Sequence, residues 1–102
     1  MVIVIVKMNV LPVKFLELKQ TLLALSGPTR EEKGCLSHSV FQDIENEDSF
    51  MLVGQWESRK DLDDHMGSDR FAVLMGTRSL LSCPPEITIN TVSHSSELAY
   101  QW

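Results

Sequence analysis

Three histidines, His38, His65 and His94, are the chain's candidates for proton chemistry near neutral pH. Imidazole, with an ordinary pKa of about 6.5, is the side chain that both takes and gives a proton there. His65 is the catalytic candidate: it follows Leu62 by three positions, so both lie on one helix face, expected to turn toward a sheet. His38 alternates with Leu36 and Val40 on one strand face. That face either meets the helices and lines a pocket or lies in an interface between copies, and alternation alone leaves both open. His94 stands among serines and is expected to be solvated. Trp56 can stack on a flat aromatic ligand and donate its indole N–H, although its area suits a core equally well.

Phe71, Leu74, Met75 and Arg78 recur at helical spacing. Phe71 and Met75 would form a core face that is also a pocket wall, and the soft thioether of Met75 suits a wall that admits rings. Arg78 is the cation placed along this stripe, where it would hold a phenolate or carboxylate or simply face solvent. The substrate-binding candidates are therefore Trp56, His38, Phe71, Met75 and Arg78. Other chemistries lack their patterns. Cys35 and Cys83 form no Cys-x-x-Cys or zinc spacing and are expected to be reduced. The acidic stretch Glu45–Asp48 lacks the glycine of a calcium loop, and no glycine-rich phosphate loop exists. No metal and no cofactor are expected.

The elements that must position these residues follow from local pattern. The β-branched run Val2–Val6 reads as a strand buried on both faces. Pro12 suits a first helical turn, and Phe15, Leu18, Leu22 and Leu25 then make one amphipathic face. Ser26-Gly27-Pro28 is expected to stop that helix, with Thr29-x-x-Glu32 capping one short further turn. Cys35–Asp43 and Phe50–Glu57 read as a hairpin across a polar, acidic turn. Ser58 and Ser68 open two helical segments as N-caps. Glu86–Val92 is the last strand, after Pro84-Pro85. The order β-α-β-β-α-β is the ferredoxin-like α+β arrangement: a four-stranded antiparallel sheet with helices on one face. Yet the opening strand does not alternate, and Phe41 lies opposite Val40 in facing. Both sheet faces thus carry apolar residues, and a second copy of the same sheet is the simplest cover, giving a homodimer.

A chain of 102 residues holds one domain, expected over residues 1–93 with a tail at 94–102 that ends in Leu98, Tyr100 and Trp102. Apolar residues at 43% and charged residues at 23% suit a globular chain. The net charge of −5 without a Lys/Arg cluster argues against nucleic acid and anionic membranes as partners. The six-residue apolar start is too short to span a bilayer and lacks signal-peptide features, so a cytoplasmic location is expected.

Several segments resemble the antibiotic biosynthesis monooxygenase (ABM) domain family. Glu32-Lys33-Gly34-Cys35-Leu36-Ser37 is similar to its E-P-G-C-L-x loop. Trp56-Glu57-Ser58 with Leu62 and His65 is similar to its W-E-S-x-x-x-L-x-x-H segment, and Ser68–Phe71 to the S-x-x-F that follows. The resemblance runs from about Val2 to Val92. It implies a dimeric α+β barrel of two ferredoxin-like protomers, with a pocket in each between helices and sheet. It also implies oxidation by O2, without a cofactor, of a small aromatic, quinol or polyketide-like substrate. The chain departs from two branches. Where actinorhodin-type polyketide oxygenases carry Asn and Tyr it has Leu52 and Leu62. Where haem-degrading members carry their axial His it has Met75, which disfavours haem degradation. Two functions of different class remain: a cofactor-independent monooxygenase with His65 as base or hydrogen-bond partner, and a non-catalytic dimeric module that binds a small ligand or regulates a partner.

Overall fold

The computed structural model describes residues 1–99; Tyr100 and Trp102 of the tail lie outside the described residues. Four strands, β1 (Val2–Asn9), β2 (Cys35–Gln42), β3 (Ser49–Trp56) and β4 (Glu86–Thr91), form an antiparallel sheet in the order β2-β3-β1-β4. Helix α1 (Phe15–Arg30) crosses from β1 to β2, and α2 (Arg59–Met66) and α3 (Asp69–Gly76) cross from β3 to β4. This is the expected ferredoxin-like α+β fold. Among the described residues, no helix is long and apolar enough to cross a membrane.

The core lies between the sheet and the helices. Val2, Val4, Val6 and Met8 of β1 and Phe50, Leu52 and Trp56 of β3 are buried on one sheet face, beneath Leu18, Leu22, Leu62 and Leu74 of the helices. The opening strand is therefore not buried equally on both sides. Its valines are buried, whereas Ile3 and Ile5 on the opposite face are half-buried. Each residue of β1 opposes one of β3, so the odd-numbered face continues through Val53 and Met51. Phe41 joins it from β2, opposite Met51, and is half-exposed. The helix-free face thus carries the apolar patch expected from the sequence.

Two local features differ from the sequence reading. Helix α1 does not stop at Ser26-Gly27-Pro28 but continues to Arg30. Pro28 removes one helical hydrogen bond, and its ring faces an exposed side of the last turn, where the freed carbonyl is reachable by water. Thr29, buried beneath that turn, holds it on the sheet. Thr29 is thus inside the helix and does not cap a further turn with Glu32. In β2, a register shift between Cys35 and Ser37 interrupts the alternation. Cys35 opposes Trp56 and His38 opposes Gly54, so both share the helix-side face, while Leu36 is left exposed.

The helix starts follow the capping serines. Asp61 N–H donates to Ser58 Oγ at 3.2 Å, and Phe71 N–H donates to Ser68 Oγ at 3.3 Å. Gly34 turns the chain into β2 at φ +82°, a conformation that favours glycine. A Cβ there would collide with the Asp61 side chain, so the loop carrying Glu32 lies directly against the first turn of α2. That packing fixes the loop relative to the helix that carries His65.

Candidate functional site

His65 projects from α2 into the gap between helices and sheet, and its side chain is 8% exposed. Its Nδ1 lies 2.9 Å and 3.1 Å from the two oxygens of Glu32. A carboxylate only accepts, so Nδ1 carries the proton and donates it, leaving Nε2 as the basic nitrogen. Arg70 Nε of α3 donates to the same carboxylate at 3.1 Å. The ring of His65 stacks on Trp56 with centroids 4.6 Å apart and 26° between planes, and Phe71 meets it edge-on at 5.4 Å. The imidazole is thus clamped by one ion-paired carboxylate and two aromatic rings. Little rotational freedom remains to it.

His38 reaches the same gap from β2. Burial pushes its pKa from 6.5 down to about 4, helped by positive charge at His65 and Arg30 and opposed by Glu32. The His38 carbonyl accepts from Arg30 Nε at 2.9 Å, which ties the last turn of α1 to the edge strand. The two histidines therefore differ in role. One is held by its Nδ1 on a carboxylate, and the other is kept neutral by burial.

His38 and His65 border one cavity, together with Leu52 of β3, Leu25 of α1 and Arg70 and Phe71 of α3. The alternative placement of His38, in an interface between sheets, does not occur in the protomer. The cavity volume is about 10 Å³, room for on the order of one water molecule. Its walls are mostly apolar, and Phe71 and Arg70 stand at its α3 side.

The remaining sequence candidates separate. Trp56 is 1% exposed and does not line the cavity; it lies behind His65 as its stacking partner. Met75 and Arg78 are not part of this cavity. They border a second, open depression with Leu81, Cys83 and Pro84. The reason is local: the segment after α3 tightens into a 3-10 turn over Thr77–Leu80, which carries Arg78 off the α3 face and into solvent. His94 is exposed, as expected. Among the described residues no group of three or more His, Cys, Asp or Glu is placed to hold a metal ion. Both cysteines are free, and burial together with Glu32 raises the Cys35 pKa, which keeps that thiol protonated.

Sequence reasoning missed Glu32, Arg70 and Arg30 as site residues. Glu32 was read as a helix cap, and its partner His65 is 33 positions away. The signal that could have found it is the Glu-Lys-Gly-Cys loop itself, where a positive-φ glycine holds an acidic residue against a helix.

Comparison with known proteins agrees with this fold. A solved structure from Mycobacterium tuberculosis superposes with a TM-score of 0.86 at 27% identity, covering 94% of this chain and 98% of that one. A protein of Methanosarcina mazei Go1 superposes with a TM-score of 0.82 at 29% identity, over 87% of this chain and 89% of that one. A Deinococcus radiodurans structure reaches 0.88 at 20% identity, over 98% and 100%, and shows the shared fold. An uncharacterised Synechocystis protein is 31% identical over 86 residues, 83% of this chain; the chain spans only 56% of that relative. The sequence profile of the family described as antibiotic biosynthesis monooxygenase matches residues 1–76, a span that contains Glu32, His38, Trp56, His65, Arg70 and Phe71. The chain belongs to the antibiotic biosynthesis monooxygenase family.

Proposed function

We propose that this protein is a cofactor-independent monooxygenase that oxidises a small hydroxylated aromatic, quinol or polyketide-like compound with O2 between its helices and sheet. The observation that carries the reading is His65. Its Nδ1 is fixed on Glu32, so Nε2 is available to a ligand in an apolar-walled cavity. His65 takes the proton of a phenol or enolisable C–H. The anion gives one electron to O2, and the radical pair couples to a peroxide on carbon. Protonated His65 returns its proton to the peroxide, which loses water as the new C=O forms. One O2 is consumed per substrate, one oxygen atom is retained, and the substrate supplies both electrons. The apolar walls limit side reactions of the peroxide with water.

The cavity must widen for this chemistry, because an apolar cavity of about 150 Å³ is what accommodates a benzene ring. Its narrowness favours a second reading in which the same site holds a small ligand without turning it over. Oxygen uptake separates the two. A panel of hydroquinones and anthrone-like ketones, assayed aerobically and under argon with chelator present, is expected to show equimolar O2 consumption that His65→Ala abolishes. Tight binding with no oxygen uptake from any compound would refute the oxygenase reading.

The reading includes a homodimer joined through the helix-free face. Ile5, Val53 and Phe41 lie on that face and support burial against a second copy. Light scattering at micromolar concentration is expected to give a dimer, and Val53→Asp a monomer. A monomeric parent protein would overturn this part.

A further inference from the structure

A second cavity, of about 170 Å³, lies beside the narrow one at His65, between α1 and the β2–β3 hairpin. An apolar space of about 150 Å³ accommodates a benzene ring, so this outer cavity has room for one as it stands. Leu22 of α1 is the one residue that borders both cavities, and it is 2% exposed. The two spaces sit over successive rungs of the same sheet face. On the rung that pairs Val40 with Leu52, Leu52 borders the inner cavity and Val40 the outer one. The next rung, Gln42 with Phe50, borders the outer cavity alone.

Leu22 is carried on a stretch of helix that bends at low cost. Ser26 Oγ donates to the Leu22 carbonyl at 2.8 Å, and Thr21 Oγ1 donates to the Glu17 carbonyl at 2.9 Å. Such hydroxyls compete with the helical N–H groups for those carbonyls and bend helices. Pro28 supplies no N–H to the following turn. The outer cavity also carries a charge. Its walls are apolar except for Lys19 and Gln42, both exposed at its mouth. Glu17, two positions before Lys19, is paired with Lys14 at 3.5 Å, which leaves the Lys19 ammonium to a ligand. Asp43 borders the adjoining depression and not this cavity.

We propose that the outer cavity holds the unreactive end of the substrate, an aromatic ring ending in a carboxylate at Lys19, and that Leu22 is the partition that yields as the other end reaches His65. The proposal rests on the site read above and adds the length and charge of its substrate. Four residues of β2 separate His38 from Gln42, on the order of 13 Å at the rise of a strand. One ring does not span that distance, whereas two linked rings do. The substrate class is therefore an elongated aromatic acid with its hydroxyl or enolisable carbon at the far end from the carboxylate. The orientation follows from charge. Arg70 of the inner cavity is already engaged by Glu32, so a carboxylate finds its cation at Lys19.

The test is nuclear magnetic resonance of the full-length protein, methyl-labelled at leucine and valine, under argon. The probe is 4′-hydroxybiphenyl-4-carboxylate, with 4-hydroxybiphenyl as its uncharged counterpart and 4-hydroxybenzoate as its one-ring counterpart. The two-ring acid is expected to show contacts from one bound molecule to the Leu52 methyls on the inner side and to the Val40 and Leu23 methyls on the outer side. It should bind at least about tenfold tighter than the one-ring acid, from burial of the second ring. Lys19→Gln, an exposed substitution, should reduce the advantage of the acid over 4-hydroxybiphenyl about threefold, the effect of one surface ion pair. Contacts confined to one cavity, no binding, or an advantage of the acid that survives Lys19→Gln overturns the proposal. Oxygen uptake from hydroquinone with no contact at Val40 or Leu23 would remove the outer subsite and leave the oxygenase reading intact. Contacts on both sides of Leu22 without oxygen uptake from any compound would do the reverse.

Discussion

His38 should make the protein's stability depend on pH in a way that one substitution removes. In the folded chain burial holds its pKa at about 4, against 6.5 for an ordinary histidine. The unfolded chain therefore binds the His38 proton more readily than the folded one. Stability from this source is fully present above about pH 6.5 and is lost as pH falls from 6.5 toward 4. The difference between those values, at about 1.4 kcal/mol per pH unit, bounds the effect at about 3.5 kcal/mol. Screening in a cleft that water can enter reduces it to about 2 kcal/mol. The groups facing His38 are His65, Arg30 and Glu32, and the first two oppose its protonation. Urea unfolding at pH 7.5 and pH 4.5 is the assay, run on the parent and on His38→Gln, which keeps a polar side chain but does not titrate. The parent should lose about 2 kcal/mol more than the variant over that interval, with similar m-values. If both lose the same amount, burial does not hold His38 neutral, and the contrast drawn between the two histidines is wrong.

Three other perturbations address different parts of the site. Glu32→Gln removes the charge shared by His65 and Arg70 and should lower kcat by roughly 10- to 100-fold with a smaller change in KM, measured by oxygen uptake. Gly34→Ala places a side chain at φ +82° and against Asp61, and should cost about 2 kcal/mol in urea unfolding. An unchanged midpoint would show that the loop is not held against α2. Phe71→Ala removes the ring that meets His65 edge-on and should cost about 2 kcal/mol, less than for a fully buried phenylalanine. The same variant should bind benzene in the vacated space, detectable as protection in thermal melts.

The element order was legible because its signals are local. Serines 58 and 68 cap the helices they precede, and Pro84-Pro85 separates the last helical turn from β4. His65 could be placed on an inward face from its spacing to Leu62 alone, and both are buried. What could not be read was anything set by two distant segments. The Glu32–His65 pair spans 33 positions, and nothing near either residue announces the other. The β2 bulge was hidden for the same reason: alternation within Cys35–Gln42 is regular, and only the register against β3 shows where it slips. Arg78 leaves the α3 face because helical spacing does not extend through Thr77–Leu80, which winds as a 3-10 turn.

That bulge also bears on the chemistry. Without it, strict alternation from Cys35 would put His38 on the helix-free face, opposite in facing to the residue paired with Trp56. One extra residue, Leu36, restores His38 to the side that meets His65, and Leu36 itself is left exposed as the consequence. Deleting Leu36 would restore a one-for-one ladder, with Cys35 opposite Trp56, Ser37 opposite Gln55 and His38 opposite Gly54, and so leave His38 facing the helices. Drawing Leu36 into the ladder without a bulge is the change that would turn His38 and Val40 toward the open face. That change separates the two histidines that border the cavity, although every side chain of the site is retained. The site depends on the register between two strands as much as on the identity of its residues.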